Sequence, residues 1–281
     1  MLHTQSLNLY DHYGLEREET FAGDLTCIYE STSRELSPGR LKPAVLVIPG
    51  GGYGFVSDRE AEPIALRFLA KGYAAFVLRY SVTPARFPTA LREAAMAMKY
   101  IRENCDRFRV DPRMVTAIGF SAGGHLCGTL GTMYDAPEVA DIAAPEVIRP
   151  DALGLCYPVV VSWGNTHQGS FRNLTGADPE LTKRLSLDRL VRPDMPPAFI
   201  WHTRDDRLVP SRNALLLAQA MDDAGVDYTL RIYHTGRHGL ATADVATLLP
   251  ADMPVFSADI AGWEDQMMAF FRECGITPWD Q

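Results

Sequence analysis

Gly119-Phe120-Ser121-Ala122-Gly123 is the segment of this sequence with the clearest chemical meaning. A serine with glycines two residues away on either side can occupy a sharp turn with a strained backbone, because side chains there would obstruct it. The segment follows the apolar run Val115–Phe120 and opens an apolar stretch through Leu126, Leu130 and Met133, the pattern of a strand entering a helix. Such a turn pushes the Ser121 hydroxyl out at the carboxyl end of a sheet, where open α/β sheets bind ligands. Outside that setting the same residues would be a plain Gly/Ser turn.

A nucleophilic serine needs a base, an acid that orients the base, and donors for an oxyanion. Seven histidines are present. His238 lies in Thr235-Gly236-Arg237-His238-Gly239, just past the apolar run Tyr228–Tyr233, where a loop can bring an imidazole over a sheet end. His125 stands one helical turn beyond the serine and should face elsewhere, His202 ends a strand, and His3 and His12 precede the core. Between serine and histidine, Thr203-Arg204-Asp205-Asp206-Arg207 offers two aspartates, and the residues themselves do not separate them. The unused one would serve turn bonding. The order Ser…Asp…His is the one expected of an α/β-hydrolase. The third piece is Pro49-Gly50-Gly51-Gly52-Tyr53, directly after the apolar run Ala44–Ile48. Glycine leaves backbone N–H groups open to a substrate oxygen, so Gly51 and Gly52, with the N–H of Ala122, are the expected oxyanion donors.

These residues need a scaffold, and the chain supplies one. Apolar runs at Ala44–Ile48, Ala74–Tyr80, Val115–Phe120, Leu153–Tyr157, Ala198–His202 and Tyr228–Tyr233 read as buried strands. Between them, Arg59–Lys71, Thr89–Asn104, Asn213–Ala224 and Ile260–Glu273 carry apolar residues at steps of three and four, with Gly72, Gly225 and Gly275 as stop signals. Strands alternating with helices predict an α/β protein with a mostly parallel central sheet flanked by helices on both faces. Residues 133–197 are rich in Pro, Gly and Asn, with a short helix at Pro179–Leu185, and read as an irregular elaboration of one domain spanning 1–281.

Composition narrows the classes. The 281 residues are 47% hydrophobic and 22% charged, which is globular and not disordered. With 27 Lys and Arg against 35 Asp and Glu, the net charge of −8 has the wrong sign for nucleic acid or an anionic membrane. The N-terminus lacks the basic flank and apolar core of a secretory signal, and no run approaches the ~18 apolar residues of a membrane span, so a cytoplasmic location is expected. Five scattered cysteines do not form a disulfide framework or zinc pattern. H-E-x-x-H, G-x-x-x-x-G-K-[ST] and an early G-x-G-x-x-G are all missing, so neither metal nor nucleotide cofactor is expected.

PGGGY, GFVSDREAEPIALRFLAKGYAAFVLRYSV, RENCDRFRVDPRMVTAIGFSAGGHL, PPAFIWHTRDDRLVP and IYHTGRHGL together resemble bacterial acetyl esterases and acetylxylan-esterase-like proteins of the α/β-hydrolase fold. These are distant relatives of the hormone-sensitive-lipase and prolyl-oligopeptidase groups. The resemblance runs from about Leu41 to the C-terminus. It implies Ser121 as nucleophile, Asp205 as triad acid, His238 as base, and Gly51, Gly52 and Ala122 as oxyanion donors. Pro49 stands where the lipase-like branch usually has His, a residue outside the triad. The implied reaction is cofactor-free hydrolysis of short acyl esters, notably acetyl groups on xylose oligomers. A neutral small-molecule ester suits the acidic chain, and a homo-oligomer is compatible with it.

Tyr53, Trp163, His167 and Phe171 are candidates to pack against a sugar ring or acyl group, with sealing of the core under a long loop as the alternative for the aromatics. Rival activities are feruloyl-type or general short-chain carboxylesterase. A peptidase of this lineage would usually carry a substrate-limiting domain, for which residues before 41 leave no room. A non-catalytic binding protein on the same scaffold would typically lose the serine or the histidine.

Overall fold

The computed structural model describes residues 1–31, 35, 39–247 and 259–277. Its strands are β1 (Leu2–Asn8), β2 (Asp24–Glu30), β3 (Lys42–Ile48), β4 (Ala74–Arg79), β5 (Val110–Phe120), β6 (Leu153–Cys156), β7 (Ala198–Thr203) and β8 (Tyr228–Tyr233). They form one sheet in the order β1-β2-β4-β3-β5-β6-β7-β8. The pairs β1–β2 and β2–β4 are antiparallel, and every other neighbouring pair is parallel. The six strands read from apolar runs are therefore present. The antiparallel pair β1–β2 escapes that reading because β1 (LHTQSLN) is an edge strand with alternating exposure, not a fully buried run.

The helices are α1 (Leu9–Tyr13), α2 (Glu62–Ala70), α3 (Thr89–Glu103), α4 (Cys105–Phe108), α5 (Ala122–Thr132), α6 (Pro145–Ile148), α7 (Gln168–Thr175), α8 (Pro179–Arg184), α9 (Leu187–Leu190), α10 (Arg212–Ala224) and α11 (Trp263–Glu273). The sheet's alternation of side chains explains the two cores. Leu46, Phe76 and Leu78 point to one face and pack with Leu91 of α3, Leu126 of α5 and Leu217 of α10. Val45, Val47 and Val77 point to the other and meet Ile64 and Phe68 of α2 and Trp263 and Phe271 of α11. With both faces covered, β3 shows no polar alternation, which is why its sequence reads as an unbroken apolar run. Helix α5 is buried along its whole length, wedged beside the central strands. Within 133–197, β6 joins the sheet while α7, α8 and α9 lie in the segment between β6 and β7. Among the described residues no helix is long and apolar enough to cross a membrane, and the cysteines are free thiols, four of them buried.

Candidate active site

Ser121 sits between β5 and α5 with φ 54° and ψ −117°, a backbone conformation that L-residues rarely adopt and that costs on the order of 1–3 kcal/mol. The surroundings enforce it. The Ser121 N–H donates to the Cys156 carbonyl at 3.0 Å, and the Ser121 carbonyl accepts from Val159 N–H at 3.0 Å and His125 N–H at 3.1 Å. The flanking glycines are required by close approach: a methyl group on Gly123 would lie 2.2 Å from the carbonyl oxygens of Ile48 and Pro49, and one on Gly119 would lie 2.1 Å from the Gly123 carbonyl. The bend thus packs the start of α5 directly onto the end of β3, bringing the serine and the glycine loop together.

His238, in the loop after β8, reaches this point from the other end of the chain. Its Nε2 lies 2.7 Å from Ser121 Oγ. Its Nδ1 lies 2.5 Å from Asp206 Oδ2. An ionised carboxylate can only accept, so Nδ1 carries the proton and Nε2 is left to accept from the serine hydroxyl. The imidazole packs edge-on against Tyr157, ring centres 5.1 Å apart, and its backbone carbonyl accepts from Arg237 Nη1 at 2.9 Å.

The carboxylate beside His238 belongs to Asp206 and not to Asp205. Asp206 Oδ1 accepts from the N–H groups of Leu208 and Val209, both at 2.9 Å, and this local turn rotates its side chain inward. Asp205, one residue earlier on the same turn, is exposed to solvent. Asp206 is buried, and Oδ2 also lies 3.2 Å from Nε2 of buried His202, which donates to the Val209 carbonyl at 2.7 Å. Burial alone would push the Asp206 carboxyl up. The hydrogen bonds and charge of His202 and His238 outweigh it and hold the group well below the usual carboxylate range. His202 is the residue sequence reasoning passed over: at a strand end it looks like core, yet it braces Asp206.

Gly51 and Gly52 line the same cavity as Ser121 and His238, about 260 Å³ in volume. Ala122 begins α5, so its N–H has no carbonyl partner within the helix. Gly50 N–H is committed to Glu60 Oε2 at 2.8 Å and is not available to a substrate. The glycine loop is pinned elsewhere too. Asn173 Nδ2 donates to the Gly52 carbonyl at 2.9 Å. Tyr53 Oη lies 2.9 Å from His125 Nδ1, while His125 Nε2 lies 2.7 Å from the Leu185 carbonyl. A carbonyl accepts, so Nε2–H donates to it and Nδ1 accepts a hydrogen bond from the Tyr53 hydroxyl. Burial pulls the His125 imidazole down to about 4, only partly offset by the Leu185 carbonyl.

Of the four side chains expected at the substrate, His167 alone borders the cavity, its Nδ1 2.8 Å from Ser170 Oγ. Tyr53 and Phe171 are buried instead: Tyr53 is turned inward to His125, and Phe171 packs on Val159, Val209 and the His125 ring. Their aromatic area is spent sealing the interior, the alternative role considered for them. Trp163 is exposed and lies outside the described cavity wall, near Asp188 and under the Arg212 guanidinium. The wall is completed by Phe55, Ser57, Arg59, Glu60, Leu208 and Arg237, none of which sequence reasoning selected. For Phe55, Ser57, Arg59 and Glu60 the signal was closeness to the glycine loop, in GFVSDRE directly after Tyr53; Leu208 and Arg237 neighbour the Asp206 turn and His238.

A model described as the prolyl oligopeptidase family matches residues 92–262, and one described as BD-FAE matches residues 34–148. Among curated relatives, endo-1,4-beta-xylanase B of Butyrivibrio fibrisolvens is 36% identical over 72% of this chain and 33% of its own length. An acetylxylan esterase of Xylanibacter ruminicola is 32% identical over 70% of this chain and 40% of its own. The chain thus spans only about a third to two fifths of the length of these relatives. Solved structures match over nearly the full length. An acetyl ester-xyloside bifunctional hydrolase of Caldicellulosiruptor lactoaceticus superposes with TM-score 0.83 at 31% identity, covering 97% of both chains. A carboxylesterase of Lactobacillus plantarum gives TM-score 0.83 at 26% identity, covering 100% of both. Fold, order of motifs and relatives agree: the chain belongs to the prolyl oligopeptidase family and has the α/β-hydrolase fold that it shares with the acetyl-ester and carboxylester hydrolases above.

Proposed function

We propose that this protein is a serine esterase that removes short acyl groups, acetyl above all, from small acetylated sugars such as xylo-oligosaccharides. The observation that carries the reading is the unbroken line Ser121 Oγ, His238 Nε2, His238 Nδ1, Asp206 Oδ2, with contacts of 2.7 and 2.5 Å. His238 takes the Ser121 proton as the hydroxyl attacks the ester carbonyl, and Asp206 stabilises the imidazolium that forms. The N–H groups of Gly51, Gly52 and Ala122 receive the oxyanion, a single donor of this kind typically contributing ~3 kcal/mol. His238 then protonates the departing alcohol, and water repeats the sequence on the acyl-enzyme. The acetyl preference is supported by the small cavity, at or below the ~300 Å³ lower end of ordinary ligand pockets. The sugar is supported by the xylan-acting names of the relatives.

The test pairs two measurements. A fluorophosphonate probe should label the native protein and not Ser121→Ala, and acetate release from acetylated xylo-oligosaccharides should exceed release of ferulate from feruloyl esters. Labelling of Ser121→Ala equal to native would remove the serine mechanism. Ferulate release as fast as acetate release would replace the deacetylase with the feruloyl-type reading.

A further inference from the structure

We infer that Arg59 and Glu60, with Phe55 at the mouth, form a subsite for a neutral polyhydroxylated leaving group next to Ser121. The inference rests on the esterase reading and names the residues that would recognise the alcohol. Arg59, Glu60, Phe55 and Leu208 share the cavity wall with Ser121 and His238. The first two converge: a methyl group placed on Gly239 would lie 3.3 Å from Arg59 Nη2 and 3.8 Å from Glu60 Oε1. On the other side, one placed on Gly50 would lie 2.7 Å from Glu60 Oε2 and 2.9 Å from Ser121 Cβ. The pair therefore bridges the nucleophile and the residue that follows the base.

Both side chains have unused hydrogen-bonding capacity. Among the described residues, Arg59 Nη1 is buried without a hydrogen-bond partner. Glu60 accepts from Gly50 N–H through Oε2 and from Tyr157 Oη–H at 2.7 Å through Oε1. Each carboxylate oxygen has about two acceptor sites, so one on each remains. A donor-only cation beside an acceptor-only anion selects by charge as well as by hydrogen bonding. A carboxylate ligand would meet Glu60 and an ammonium would meet Arg59. A hydroxyl donates and accepts at once, so vicinal hydroxyls satisfy both without a net charge to oppose either. Phe55, exposed at the rim, offers a face against which the C–H side of a sugar ring can pack. Arg237 adds a second guanidinium to the wall, already engaged with the His238 carbonyl.

The experiment compares kcat/KM for an acetylated xyloside with kcat/KM for 4-nitrophenyl acetate, whose leaving group has no hydroxyls to offer a subsite. Arg59→Met and Phe55→Ala should each lower the ratio of the two, Arg59→Met by about tenfold, as expected for losing a hydrogen bond to a charged group. An unchanged ratio in both variants overturns the subsite, including the case where both activities fall together. Xylobiose should also inhibit 4-nitrophenyl acetate hydrolysis competitively, with the inhibition weakened in Arg59→Met. That arm separates the two readings: if acetylated xylosides are not hydrolysed but inhibition behaves as described, the deacetylase reading fails and the subsite stands. Absent inhibition, or inhibition equal in wild type and Arg59→Met, overturns the subsite even where deacetylation is observed.

Discussion

Tyr53 in the glycine loop and His125 in the helix behind Ser121 are joined by a buried hydrogen bond of 2.9 Å. The glycine loop is thereby fastened to the same helix that Ser121 opens. In the direction drawn, the bond uses the lone pair of a neutral His125; a protonated imidazole, buried there, would have to reverse it and donate to the tyrosine oxygen.

That dependence gives a pH prediction. The His125 imidazole sits near 4 in the folded protein against about 6.5 when unfolded, so between those values the unfolded state binds the additional proton. Stability from this group is fully present above 6.5 and is lost as pH falls toward 4, by about 3 kcal/mol over the interval. Buried Glu93 and Glu264, each raised to about 7, tilt stability the opposite way across 4.5–7. Denaturant unfolding of wild type and His125→Gln from pH 4 to 8 isolates the histidine. The variant should show a smaller loss of stability on acidification than wild type, and equal slopes would contradict the assignment.

Asp206→Asn should cut kcat/KM for 4-nitrophenyl acetate by roughly 10³–10⁴-fold, because the amide can present an N–H and leave the imidazole in the wrong tautomer. Asp205→Asn, on the exposed side of the turn, should stay within about twofold. Measuring the two variants side by side decides which carboxylate acts, and a reversed order would return the role to Asp205.

The close approach at Gly123 predicts a large stability cost. Gly123→Ala places a methyl 2.2 Å from two backbone oxygens that cannot swing aside. A loss of about 3 kcal/mol or more, or failure to recover folded protein, is expected. A Tm within a degree or two of wild type would show that β3 and α5 can separate without penalty.

Strain at Ser121 makes a further prediction. Its φ of 54° with ψ of −117° suits glycine far better than alanine. Ser121→Gly and Ser121→Ala should both be inactive, yet the glycine variant should be more stable by about 1 kcal/mol in urea unfolding. Equal or reversed stabilities would mean that the backbone there carries no strain.

That Ser121, His238 and the glycine loop would meet was readable because a strained turn and a close backbone approach leave marks in sequence, as glycines at fixed offsets and runs that end abruptly. Which aspartate meets His238 was not readable, since Asp205 and Asp206 differ only in which side of one turn they face, and that is decided by the N–H groups of Leu208 and Val209. Tyr53 and Phe171 misled because a large ring serves a pocket wall and a sealed core equally well. Arg59 and Glu60 were hidden for another reason. They precede α2, which begins at Glu62, and the apolar spacing of that segment drew them into the predicted helix Arg59–Lys71. Strands β1 and β2 lacked the unbroken apolar runs that marked the other six.

The serine and its base depend on parts of the molecule with unequal support. Ser121 is held by main-chain bonds to the 156–159 segment beside strands in the middle of the sheet, whereas His238 follows β8, the partly exposed outer strand at one end. Mild urea or heat should therefore silence turnover while tryptophan fluorescence and circular dichroism still report an intact sheet. Inactivation would begin as a loss of alignment at one margin, with the frame around Ser121 among the last pieces to give way.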